Sequence, residues 1–108
     1  IGLRLYLAQR ISAMILAPLV LGHIATMIYA VQNGLSAAEI LGRTQGSFWW
    51  GAFYGLFVAA VSVHAAIGLR AIAYETFGLP SRWLDVLTCV VGISLFLLGS
   101  RAVAAVVL

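Results

Sequence analysis

From Ile11 to Val31 the chain runs for about 21 residues with no formal charge, provided His23 is neutral. That is close to the roughly 20 residues an α-helix needs to cross the hydrocarbon of a bilayer. Apolar runs of similar or greater length follow from Trp49 to Tyr74 and from Trp83 toward the C-terminus. Inside lipid no water is available to the backbone, so a single run can satisfy its own N–H and C=O groups only as a helix. These runs therefore predict an all-α, polytopic membrane protein with three transmembrane helices, forming part of a larger helix bundle. Residues 1–108 read as a single transmembrane domain, with spans at about 7–31, 49–74 and 83–106. Composition excludes a soluble globule of this size. Of 108 residues 64% are apolar and only 8% charged, too few to cover a water-facing surface. A signal peptide is a poor reading of the first run, which is too long and is followed by two more. A sequence that begins on Ile1 is expected to lack residues that precede it.

The punctuation between the runs agrees. Pro18 falls inside the first span, where a membrane helix can absorb it if a neighbour covers the freed carbonyl. Asn33-Gly34 is a turn signal, and Ser36 with Glu39 has the spacing of a capping box. A short interfacial helix is expected around Ala37 to Leu41. Phe48, Trp49 and Trp50 re-enter the membrane as an aromatic belt. Gly51 and Gly55 give the second span a small-residue face for a closely packed helix. Gly78 and Pro80 break the chain before the third span. Cys89 is the only cysteine, so neither an internal disulfide nor a thiolate cluster is available. The six arginines are scattered at the ends of the runs, and there is no lysine, which suits snorkelling and not nucleic acid. Arg4, Arg10, Arg70 and Arg82 fall on one side, and Arg43 and Arg101 on the other. The bias makes the N-terminal side cytoplasmic, or the matrix side in a mitochondrion.

Ionisable groups within such spans are costly and point to function. The stretch His64 to Glu75, HAAIGLRAIAYE, holds three of them. Along the helices, His23 lies about 20 Å from Arg10 and His64 about 15 Å from Tyr74. Because the first two spans run antiparallel, the two histidines are expected at broadly similar depth. Two imidazoles facing across a helix pair suit the six-coordinate iron of a haem, whose propionates need arginine or water at the polar edge. His64, Gly68, Ala71 and Glu75 share one face of the second span, where the small residues admit either a flat macrocycle or a close helix. Ser12 and His23 share a face of the first. Plainer readings stand beside these. His64 and His23 would then be hydrogen-bonded packing residues, Arg70 and Glu75 helix-end residues, and Arg10 and Ser12 merely interfacial. No nucleophilic triad, phosphate loop, zinc site or di-iron site can be argued from these residues.

Two stretches carry a family resemblance. Gln9-Arg10-Ile11-Ser12-Ala13 is similar to the His-Arg-x-Thr-Gly type opening of the first helix in the cytochrome b membrane anchor subunits of succinate dehydrogenase and fumarate reductase (complex II). The second stretch, His64-x-x-x-Gly68-x-Arg70-x-x-x-x-Glu75, resembles those anchors' pattern of histidine, glycine, arginine, histidine and an acidic residue. The resemblance implies haem b as cofactor with His64 as its axial, metal-binding ligand, and Arg70 serving a propionate or the quinone pocket. It implies that Arg10 helps form a quinone site near the iron–sulfur subunit, with ubiquinone or menaquinone as substrate. Ser12 stands for the threonine and Glu75 for the usual aspartate. Gln9 replaces one histidine and Ala71 the other. Thr76 stands where the smaller anchor carries a quinone-binding tyrosine, so that role does not carry over directly. Tyr74, just before the acid, is retained with Arg10, Ser12 and Glu75 among the quinone-binding candidates. The implied partners are an iron–sulfur subunit, a flavoprotein subunit and a second membrane anchor. The second haem ligand would be His23 or a histidine of that companion. The implied location is the bacterial inner membrane, with the mitochondrial inner membrane the lesser expectation. The rivals are an anchor of another respiratory dehydrogenase and a purely structural membrane subunit.

Overall fold

The computed structural model describes residues 2–108. They form four helices and, among the described residues, no strand: α1 Leu3–Asn33, α2 Ala37–Thr44, α3 Phe48–Phe77 and α4 Ser81–Val107. The three long helices are each long and apolar enough to cross a membrane. Together they make a body 49 × 23 × 22 Å, whose long dimension matches a bilayer of about 40–45 Å with its headgroups. All three run past the ends of the hydropathic spans. Hydropathy marks the part in hydrocarbon, whereas backbone bonding and caps carry a helix on into the headgroup zone. α1 continues through Pro18, as a membrane helix can.

α3 is the middle element. It packs on α1 along one side and on α4 along the other, while α1 and α4 barely touch. The α3/α4 hairpin is tight because small residues face it. A Cβ on Gly92 would stand 3.4 Å from the Ala66 methyl, and one on Gly99 only 2.6 Å from a Val58 methyl. Gly51 approaches Val107, but nothing lies near Gly55. The expected small-residue face is thus half used within this chain. Gly99→Ala should cost about 1–3 kcal/mol through overpacking. Gly55→Ala should be close to neutral. Unfolding of the two variants in mixed micelles checks the difference.

α2 is three residues longer than its expected end at Leu41, because it docks on α4. The Thr44 hydroxyl donates to Val106 O at 2.6 Å, the Gly46 N–H to Val107 O at 2.6 Å, and the Gln45 amide to Leu108 O at 3.3 Å. These bonds satisfy carbonyls that the end of α4 would otherwise leave free. The capping box is present. Glu39 N–H donates to the Ser36 hydroxyl at 3.2 Å, and the Glu39 carboxylate accepts from the Ser36 hydroxyl and N–H. Those bonds, led by the hydroxyl and helped by Arg43, hold the Glu39 carboxyl below the usual carboxylate range. A depressed value means the cap's contribution is complete above the ordinary carboxylate range. It is lost as pH falls through the lowered value. Amide protection factors in α2 should fall severalfold on such acidification, and Ser36→Ala should bring the same fall at neutral pH.

Few side chains are enclosed. The buried apolar residues are Leu16, Ala60, Ala66, Ile67, Ala73 and Leu84, and no large side chain is fully buried among the described residues. Large apolar groups cover the outside instead, Met14, Leu21, Ile93 and Leu97 among them. With lipid as solvent this costs nothing, and it leaves whole helix faces open to further membrane helices.

Candidate functional site

The α1–α3 contact assembles the first cluster. Ser12 is 4% exposed and turned toward α3. Its hydroxyl donates to Gln9 O one turn earlier at 2.9 Å and lies 3.4 Å from Nδ1 of His64. His64 itself is half-buried, and among the described residues its Nε2 takes part in no hydrogen bond. One turn on, a Cβ at Gly68 would meet the Gln9 side-chain amide at 3.5 Å. Gly68 thus has a closely packed helix over it, the second of the two uses expected for a small residue there. The side-chain amide oxygen of Gln9, Oε1, is buried with no partner.

The same contact sets the register of the two helices. Gln9 is level with Gly68, Ser12 with His64, Gly22 with Phe53, and His23 with Tyr54 and Phe57. This corrects the expected depths. Ser12 and His23 do share a face of α1, but they are eleven residues apart, so His23 lies about 16 Å from the level of His64. Arg10 and Tyr74 do not stand at one level. Tyr74 in fact lies about two turns beyond the level of Arg10. Two imidazoles on one iron stand about 4 Å apart, twice a metal–nitrogen bond of about 2 Å. His23 and His64 of one chain cannot meet that condition. His23 packs edge-on against Tyr54 and Phe57, at centroid distances of 6.0 and 5.4 Å, and its Nδ1 is buried without a partner. It borders a separate cavity of about 650 Å³ near α2, which Thr26, Tyr29, Arg43, Trp50 and Tyr54 also line.

Arg70 belongs to the other side of α3. Six residues from His64 is about 240° around a helix, so the two side chains diverge. The Arg70 guanidinium is 13% exposed and donates from Nη1 to Asp85 at 2.6 Å and to the Thr88 hydroxyl at 3.4 Å, both on α4. Its Nε is buried and unpartnered. Arg70 and Tyr74 share a small pocket of about 220 Å³ with Ser81 and Leu84. Arg10 is exposed on the face of α1 opposite Ser12, so it points away from this chain's own bundle. Glu75 is exposed near the end of α3, about 12 Å beyond the level of Arg10. The four quinone candidates therefore do not converge within one chain. Asp85 and Thr88 were not singled out from sequence. The available signal was a lone aspartate between Leu84 and Val86, within an apolar run that should not hold an unpaired charge.

Fold and site together define a polytopic helical membrane subunit with one engaged imidazole in its interior and no soluble catalytic domain among the described residues. Residues 1–104 match the family described as the succinate dehydrogenase/fumarate reductase transmembrane subunit, and the chain belongs to that family. It is a non-catalytic membrane-anchor subunit of that respiratory family. No curated protein and no solved structure matched the chain. Among the described residues no three His, Cys, Asp or Glu side chains come together. A b-type haem held by one histidine from each of two subunits needs no such cluster.

Proposed function

We propose that this chain is a haem b-bearing anchor of a succinate dehydrogenase (succinate:quinone oxidoreductase) and helps form the quinone site fed by the iron–sulfur subunit. The observation that carries the reading is the state of His64. It is a half-buried imidazole with one nitrogen against a buried hydroxyl and the other, among the described residues, without a protein partner. That donor chemistry fits a haem iron, which His64 would hold as a metal ligand through its free nitrogen. When bound, the haem supplies a one-electron reservoir beside the quinone site.

The remaining residues take roles from their positions. Arg10, exposed on the outer face of α1, hydrogen-bonds a quinone carbonyl and stabilises negative charge as it develops on the oxygen. The outward direction of Arg10 means that the quinone sits between this chain and its partners. Ubiquinone and menaquinone both offer the carbonyl this needs. Arg70, still short of one acceptor at Nε, is the cation at the polar edge for a propionate or a quinone headgroup, with Tyr74 beside it. Gly68 lets Gln9 close over α3 next to His64, and Glu75 stays at the membrane surface. A second histidine ligand would have to come from a companion anchor, because His23 is about 16 Å away in level. The open faces of α1 and α4 suit such a companion. The iron–sulfur and flavoprotein subunits dock at the end that carries Arg4, Arg10 and the turn between α3 and α4. Arginine bias makes that end cytoplasmic in a bacterial inner membrane, or the matrix side in a mitochondrion.

The test is purification from native membranes through a tag on this chain. A flavoprotein and an iron–sulfur protein should copurify, and dithionite-reduced minus oxidised spectra should show a b-type band. Copurification without the band would leave a haem-free quinone anchor. Absence of both partners would overturn the reading altogether.

A further inference from the structure

We infer that Ser12 is a positioning residue for His64, fixing the tautomer that leaves Nε2 free to bind metal; the inference rests on the haem reading above. A serine hydroxyl has one proton and two lone pairs. At Ser12 the proton is committed to the Gln9 carbonyl at 2.9 Å, because a carbonyl can only accept. Toward His64 the oxygen therefore has only a lone pair to offer, and the 3.4 Å contact requires the ring proton to sit on Nδ1. In a neutral imidazole that leaves Nε2 as the unprotonated nitrogen. Ser12 is 4% exposed, so water does not compete for either bond. A histidine ligand that donates from its second nitrogen is held in orientation and made more basic. The same geometry removes Ser12 from the quinone: its hydroxyl is enclosed by α3 and has no proton left for a quinone carbonyl.

The experiment compares Ser12→Ala and Ser12→Thr with the wild type in the intact, tagged complex. Ser12→Ala should weaken haem retention about 10-fold or more. It should also move the haem reduction potential to a more positive value, since a less basic ligand favours ferric iron less. Ser12→Thr keeps the hydroxyl and should restore both readings. In wild-type complex prepared without haem, ¹⁵N spectra of His64 should show the proton on Nδ1. Equal haem retention and potential in Ser12→Ala and wild type would overturn the inference. So would a wild-type His64 with its proton on Nε2, a measurement that needs no variant to assemble. If wild-type complex binds no haem under any condition, the haem reading falls, and the inference falls with it as a statement about a haem ligand. The ¹⁵N result would then still decide whether Ser12 sets the ring.

Discussion

Replacing His64 by alanine is expected to abolish the b-type absorption band of the purified complex, while His23→Ala leaves it in place. The chain has two histidines, and their surroundings assign them different work. Nδ1 of His64 is engaged by Ser12, and its other nitrogen has no protein partner among the described residues. His23 is wedged edge-on between the rings of Tyr54 and Phe57, about 16 Å away in level, and cannot stand in. The loss in His64→Ala should therefore be complete and not a partial weakening. The variant should still assemble, because Ser12 keeps its bond to Gln9 O and an alanine in mid-helix is well tolerated. His23→Ala should show the opposite profile. It forfeits two aromatic contacts of about 0.5–1.5 kcal/mol each, which thermal unfolding of the complex will register, and it keeps the spectrum. A band that survives His64→Ala, or one that disappears only in His23→Ala, would reverse the assignment.

The depth of those two histidines shows where sequence reading stops. Hydropathy places a run in hydrocarbon, and the capping box at Ser36 and Glu39 locates α2, because both signals are local. Which residue of one helix is level with which residue of another is not local. Here it follows from small residues. α1 settles against α3 where Gly22 receives Phe53 and Gly68 receives Gln9, and that register sets Ser12, not His23, opposite His64. Ser12 and His64 are 52 positions apart, and no spacing rule links them. Other facts were legible through helical geometry alone. The turn of about 240° between His64 and Arg70 separates their faces, and the two-residue step from Arg10 to Ser12 puts them on opposite sides of α1. The candidate residues were legible one by one from their chemistry, but which of them sit together needed the helix contacts. The quinone candidates remain dispersed because Arg10 faces outward, away from the other helices of this chain.

Removing the Asp85 carboxylate is expected to destabilise the α3/α4 hairpin by about 1.5–3 kcal/mol, the range for a hydrogen bond to a charged group. The pair is lopsided: Arg70 is 13% exposed and Asp85 69% exposed. Asp85→Ala therefore strands a sheltered cation, with only the Thr88 hydroxyl near Nη1 and nothing at Nε. The cost stays below the roughly 3–5 kcal/mol of a fully buried pair, since the anion was solvated to begin with. Arg70→Ala leaves behind an aspartate that already faces the surface, so its electrostatic penalty should be smaller. What it loses is the packing of the arginine stem between α3 and α4. Once Arg70 is gone, Asp85→Ala should add little. The double-mutant cycle in mixed micelles should show non-additivity of about 1 kcal/mol or more. Additive variants would mean that the 2.6 Å contact contributes nothing to holding the helices together. The spectrum gives a second, independent reading. Arg70 points to α4 and His64 to α1, so Asp85→Ala should lower stability without removing the b-type band. A band lost in both Asp85→Ala and His64→Ala would instead show that the ion pair holds the guanidinium where the cofactor's polar edge needs it.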